Sequence, residues 1–168
     1  RLIRMSNPEV TPDRPKVIAY SDGCCLGNPG PGGYGTVLLH GENRKELSGG
    51  YRLTTNNRME LLAVIRGLEA IKWKDATVRI YSDSTYVVKT VTENWKRKKN
   101  QDLWARFDAV RAGFNLEFNW IKGHAGHPEN ERCDRLAVKA YSEGVLEEDN
   151  AYVESIETEN ICRTGKLL

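Results

Sequence analysis

The sequence predicts an α/β protein: one mixed β-sheet covered by helices. Three observations carry this. Residues 16–22 (KVIAYSD) alternate Val17, Ala19 and Ser21 against Ile18, Tyr20 and Asp22, the period of a strand with two different faces. Two further runs with strand character flank a short polar turn, which predicts a hairpin. From Asn56 the apolar spacing changes to a helical period, and strands then alternate with helices.

Taken in order, residues 1–15 (RLIRMSNPEVTPDRP) hold Pro8, Pro12 and Pro15 without periodicity and are expected to be a tail, with Met5 a candidate natural start. A glycine-rich loop from Gly23 to Gly33 follows the first strand, and YGTVLLH and RKELSGGYRL flank GEN as the arms of the hairpin. In NNRMELLAVIRGLEAIK, Leu61, Ile65 and Leu68 form one stripe that Met59, Leu62 and Ile71 widen, so a helix is predicted. ATVRIYS returns to strand and STYVVKTVTENW to helix. QDLWARFDAVRAG predicts another helix, NLEFNWIKG a strand and PENERCDRLAVKAYSEG a final helix. From Val145 the composition turns acidic and polar, and a docked or mobile C-terminal tail is expected.

A chain of 168 residues fits one domain, and at this length a core needs no disulfide or metal staple. With 39% hydrophobic and 29% charged residues it reads as globular, and a net charge of +2 is too small to imply a polyanionic partner by itself. Cys24, Cys25, Cys133 and Cys162 form no CxxC pair and read as small buried thiols in a reducing compartment. No apolar run approaches the ~18 residues needed to cross a bilayer, so no membrane is expected and the cytoplasm is the default location.

Four acids are candidates for chemistry: Asp22, Glu60, Asp83 and Asp134. Asp22 and Asp83 each end an apolar strand, where ligands gather in open α/β sheets, and Glu60 and Asp134 come in from helices. Converging carboxylates resist joint ionisation, and a hard divalent cation such as Mg²⁺ removes the conflict. Metal-assisted phosphodiester hydrolysis is therefore the leading reading. Each acid also has an ordinary explanation. Glu60 lies three after Asn57, as in a capping box; Asp83 suits an N-cap; Asp134 suits the macrodipole of a helix begun by Pro128. Asp22, on the face shared with Ile18 and Tyr20, needs a partner if buried. His124 fits proton handling and loop packing equally well, while His127 suits a helix cap and His40 a solvated position beside the hairpin. Gly30, Gly32 and Gly35 match GxGxxG, but the next residues, TVLLH, read as strand, and a dinucleotide fingerprint needs a helix there.

Several uninterrupted stretches resemble the type 1 ribonuclease H family of the bacterial kind: SDGCCLGNPGPGGYG, GGYRLTTNNRMEL, IYSDSTYV, DLWARFDA and WIKGHAGHPENERCDRLA, within residues 16 to 153. The resemblance implies a five-stranded mixed sheet with helices on both faces. It implies a catalytic domain over residues 16–145, between a tail at 1–15 and another at 146–168. The activity implied is hydrolysis of the RNA strand of RNA–DNA hybrids with two Mg²⁺ ions, or Mn²⁺ in their place, leaving 5′-phosphate and 3′-hydroxyl ends. Asp22, Glu60, Asp83 and Asp134 would be the metal-binding acids, and His124 the histidine that assists water activation or product release. Asn28, Asn56 and Asn57 would contact the groove, with Cys25 adding a backbone contact. Thr55 resembles the hydroxyl of a phosphate pocket for the DNA strand.

Two departures stand out. Thr85 occupies a place where bacterial relatives usually carry glutamine, and the long basic handle of many relatives is reduced to TENWKRKKNQDLW. Lys96, Arg97, Lys98 and Lys99 beside Trp95 remain candidates for phosphate attraction, with a solvated helix end as the ordinary alternative. The expectation is a monomeric endoribonuclease whose partner is an RNA–DNA hybrid. Its rivals are a hybrid-binding module without catalysis and a nuclease of the same broad fold with another target.

Overall fold

Strand β1 (Lys16–Cys25) lies at the middle of the sheet in this structure, a computed structural model that describes residues 14–165. On one side β2 (Gly30–His40) and β3 (Asn43–Thr54) continue it antiparallel, turning at Gly41 and Glu42 as the expected hairpin. On the other side β4 (Thr77–Ser82) and β5 (Asn115–Trp120) run parallel to it. A sixth strand, β6 (Leu146–Glu147), pairs parallel with Gly50 and Tyr51 of β3, giving the order β5-β4-β1-β2-β3-β6. The sheet is mixed as expected but has six strands rather than five. Two residues are too short a segment to display any alternation in sequence.

Among the described residues five helices accompany the sheet: α1 (Asn56–Ala70), α2 (Thr85–Thr92), α3 (Gln101–Arg111), α4 (Pro128–Glu143) and α5 (Asn150–Thr164). The segment expected to be a C-terminal tail thus carries β6 and α5. Except for Arg14 and Pro15, the expected N-terminal tail and its Met5 lie outside the described residues. Among the described residues, no helix is long and apolar enough to cross a membrane.

Alternation along β2 places the helices. Thr36 donates its hydroxyl to the Ala63 carbonyl of α1 at 2.6 Å, so Tyr34, Thr36 and Leu38 face α1. Gly33 and Gly35 point the other way, where a Cβ would collide with the Ala137 and Cys133 carbonyls of α4. Helices therefore cover both faces. The close approach also explains why the glycine-rich stretch is mostly strand: β1 continues to Cys25 and β2 begins at Gly30. Here the glycines serve helix-to-sheet contact rather than loop freedom.

The apolar core lies on the α1 side. Val17, Ala19, Val78 and Ile80 of the sheet meet Leu61, Ile65 and Leu68 of α1, with Val87, Trp104 and Phe107 closing the layer from α2 and α3. Tyr86 accepts a hydrogen bond from the Trp104 indole at 2.9 Å, which satisfies the ring's only donor. His40, expected to be solvated, instead has Nδ1 2.9 Å from the Lys16 carbonyl and its ring 4.3 Å from that of Trp73. The cysteines are all free, but only Cys133 is buried; Cys24 and Cys25 are half-buried and Cys162 is exposed.

Candidate active site

Asp22 is 6% exposed near the carboxyl end of β1, opposite Gly35. Its Oδ1 accepts the Gly23 amide at 2.9 Å. A side chain on Gly23 would strike the backbone of Met59 and Glu60, so its absence lets the first turns of α1 close over the strand end. Asp83 follows the last residue of β4, the parallel neighbour of β1. These elements bring one carboxylate oxygen each from Asp22, Glu60 and Asp83 within 4.8 Å of one another.

Two of the three ordinary readings offered for the acids, those for Glu60 and Asp83, are not what the backbone uses. Thr55, not Asn57, caps α1 by accepting the Arg58 amide at 3.2 Å, which leaves Glu60 outside any capping box. Ser84, not Asp83, caps α2 by accepting the Val87 amide at 3.2 Å. His127 stands at the N-cap of α4 without a side-chain capping bond. The acids are left free for each other. Glu60 Oε2 is buried with no hydrogen-bond partner among the described residues, an arrangement that costs free energy unless a cation or proton compensates.

Electrostatics agree with that geometry. Burial, reinforced by Asp83 and Asp134, pushes the Asp22 carboxyl up to about 8. Burial, then the charges of Asp22 and Asp83, holds Glu60 well above the usual carboxylate range. Burial also raises Asp83, partly offset by contact with Asp22 and by the nearby His124. Three carboxyls that cannot ionise together without help suit a divalent cation, whose charge and oxygen preference match the donor set.

Asp134, from the second turn of α4, lines the same cleft of about 460 Å³ but stands outside the tight group of three. His124 lines it from the β5–α4 loop, exposed, at a positive φ of 53° that non-glycine residues rarely adopt. The preceding Gly123 lets that loop pack against the acid: a Cβ would lie 2.5 Å from Asp83 Oδ2 and displace the carboxylate. Burial followed by the charge of Asp22 pushes the Cys24 thiol up to about 12, so Cys24 in this cleft stays a neutral wall.

Beside the acids, the loop residues form a hydrogen-bonded web. Cys25 donates its amide to Asn56 Oδ1 at 2.8 Å, and Asn56 donates its own amide to Asn28 Oδ1 at 3.1 Å. Asn57 lines both the acidic cleft and a second cavity of about 620 Å³, which Asn28, Thr55, Lys98 and Lys99 also line. The basic run is therefore divided. Lys98 and Lys99 face this cavity, whereas Arg97 stacks over Trp104 at 4.6 Å and pairs with Asp108 at 2.6 Å. Trp95 and Lys96 are exposed and line neither space, and the Trp95 indole donates to Glu93 at 3.2 Å.

Three features escape the sequence reading. Trp120 donates its indole N–H to the Asp83 carbonyl at 3.1 Å, holding the strand end that presents the acid. Tyr86 lines the acidic cleft. Arg58, 4% exposed, makes paired hydrogen bonds of 2.7 and 2.8 Å to Asp149 and two of 2.8 Å to Asp102. Only Arg58 carries a signal in the sequence, as a cation inside the apolar start of a predicted helix.

A sequence model of the RNase H family matches residues 14–142. The ribonuclease H of Aeromonas hydrophila is 51% identical, covering 82% of this chain and 97% of its own. That of Aeromonas salmonicida is 53% identical, covering 79% and 94%. Among solved structures, LC11-RNase H1 in complex with an RNA/DNA hybrid shares 30% identity at a TM-score of 0.66, covering 76% of this chain and 97% of that one. With a family match over most of its length, bacterial relatives at about half identity and the acidic cleft assembled at the sheet's carboxyl end, the chain belongs to the RNase H family and is an enzyme of its bacterial type.

Proposed function

We propose that this enzyme hydrolyses the RNA strand of RNA–DNA hybrids, leaving 5′-phosphate and 3′-hydroxyl ends, with two Mg²⁺ ions, or Mn²⁺ in their place, held by Asp22, Glu60, Asp83 and Asp134. The observation that carries the reading is the unpartnered Glu60 oxygen within a group of carboxyls that burial and mutual repulsion keep from ionising together. Divalent cations held there would supply positive charge beside the scissile phosphate and lower the pKa of water, making hydroxide available near neutral pH.

The chain's own residues do the rest. Asp22 and Glu60 sit deepest and would hold the cations, with Asp83 and Asp134 at the rim of the cleft. His124, exposed on the β5–α4 loop and lining the cleft beside the acids, can carry a proton to or from the reacting oxygens. The web of Cys25, Asn28 and Asn56 presents amide groups suited to the shallow groove and 2′-hydroxyls of a hybrid, where shape is read rather than base sequence. Thr55 and Asn57 extend that surface toward the lysines. The binding of a hybrid by LC11-RNase H1 supports this substrate. We place the enzyme in the cytoplasm as a monomer, where its free thiols stay reduced.

A labelled panel of hybrid, duplex RNA and single strands, incubated with Mg²⁺, tests the proposal. Cleavage confined to the RNA of the hybrid is expected, and equal cleavage of duplex RNA would sink it. Two substitutions refine it. His124→Ala is expected to lower kcat about a hundredfold with KM nearly unchanged; steady-state kinetics showing the reverse would make His124 a binding residue. Lys98→Gln with Lys99→Gln should weaken hybrid binding and reduce the slope of log K against log[salt] by up to about 2, roughly one for each phosphate no longer neutralised. An unchanged slope means the two lysines do not touch phosphates.

A further inference from the structure

Helix α5 lines the second cavity together with Thr55 and Asn57. Tyr152, Ser155, Ile156 and Glu159, spaced as one helical face, point into this space of about 620 Å³. No residue of α5 is buried, so core packing does not explain its position. It is held at its start instead. Asp149, 8% exposed at the N-cap, receives two hydrogen bonds from Arg58 and one from Thr54 at 2.8 Å. Arg58 also lies over the Tyr152 ring, 6.0 Å from its centroid, which orients the ring.

The polar groups around the cavity suit an anion. Lys98 and Lys99 supply two positive charges, and neither makes a salt bridge among the described residues. Asn28, Asn57 and Thr55 add amide and hydroxyl donors. Asn57 lines both spaces, so this cavity and the acidic cleft share a border. Two carboxylates line the cavity: Asp102, which is paired with Arg58, and Glu159, two turns along α5 from Tyr152, which makes no salt bridge among the described residues and so opposes an anion.

We infer that α5 is a substrate-binding element: the Tyr152 phenol donates a hydrogen bond to a backbone phosphate seated beside Lys98 and Lys99, and Glu159 limits the affinity by repulsion. This rests on the hybrid-cleaving reading above. Burial raises the phenol above its ordinary value of 10.0, so it stays protonated and able to donate. The two residues act with opposite sign, which a merely structural helix would not produce.

The test uses the full chain carrying Asp22→Asn, so that binding of a fluorescein-labelled RNA–DNA hybrid is measured by anisotropy without cleavage. Tyr152→Phe is expected to weaken binding about tenfold with an unchanged salt slope, since a neutral donor releases no counterion. Glu159→Gln is expected to tighten binding about threefold at low salt, an effect lost by about 0.5 M as screening shortens. Melting temperatures should stay with the parent in both. Hybrid affinities within twofold of the parent for both variants overturn the inference, as does an affinity loss matched by a fall in melting temperature. A parent that fails to bind hybrid overturns the hybrid-cleaving reading itself, and this inference with it.

Discussion

Asp22→Asn is expected to reduce hybrid cleavage by a factor on the order of 10⁴, the scale of losing one member of a catalytic unit, while hybrid binding survives. The amide keeps the shape of the side chain and can still accept the Gly23 amide, but it cannot offer a charged oxygen to a cation. The same change should stabilise the metal-free protein. In the folded state the Asp22 carboxyl titrates at about 8, against an ordinary value of 3.8. A raised carboxyl leaves stability untouched below the lower value, where both states hold the proton. Stability then falls as pH rises, because the unfolded chain ionises while the folded one resists, and it levels off above about 8. Asparagine removes that slope. In EDTA at pH 8 the variant should melt about 5 °C higher than the parent, and at pH 3 the gain should vanish. Near-normal turnover would remove Asp22 from the mechanism, and equal melting at pH 8 would refute the electrostatic account of the cleft.

Arg58→Ala should produce the largest loss of stability. Its guanidinium joins Asp102 of α3 and Asp149 at the start of α5 through paired, charge-assisted hydrogen bonds. Burial alone would lower the Arg58 pKa, and the two carboxylates more than offset it. Removing the cation leaves the buried Asp149 carboxylate with the Thr54 hydroxyl as its side-chain donor, and breaking such a pair costs about 3–5 kcal/mol. A fall in melting temperature of about 10 °C is expected by calorimetry. Loss of α5 should accompany it, seen as faster amide exchange over 150–164. A variant that melts with the parent would mean the network contributes specificity of packing rather than stability.

The helices and strands that pack through a continuous apolar stripe are legible in the sequence. The alternation in KVIAYSD and the stripe of Leu61, Ile65 and Leu68 face one core, and a core imposes its period on the residues that line it. The glycine-rich stretch is not legible in the same way, because glycine has two uses, turning a chain and admitting a neighbour. Nothing in GNPGPGGYG itself tells which, and only the approach of α4 over Gly33 and Gly35 decides it. Strand β6 and helix α5 resemble a tail in sequence for a related reason: two paired residues and an acidic helix without a buried face leave no apolar pattern.

Within the site, residue types and local contexts can be read one by one, along with the kind of chemistry they allow. Which acids sit closest is decided by the fold, which gathers Asp22, Glu60 and Asp83 within 4.8 Å and leaves Asp134 beside them. The division of the basic run is likewise a tertiary matter, since Arg97 turns inward only because Trp104 and Asp108 are there to receive it. By itself the sequence determined the α/β class, the hairpin, the helix that carries Glu60 and the strands that present Asp22 and Asp83, because periodicity and strand ends are local properties of the chain. Only the tertiary structure decided the burial of Glu60, the joining of α5 to α1 and α3 through Arg58, and the shared border of the two cavities. These depend on groups far apart in sequence meeting where water is excluded, and electrostatic and hydrogen-bond energies take their size from that exclusion.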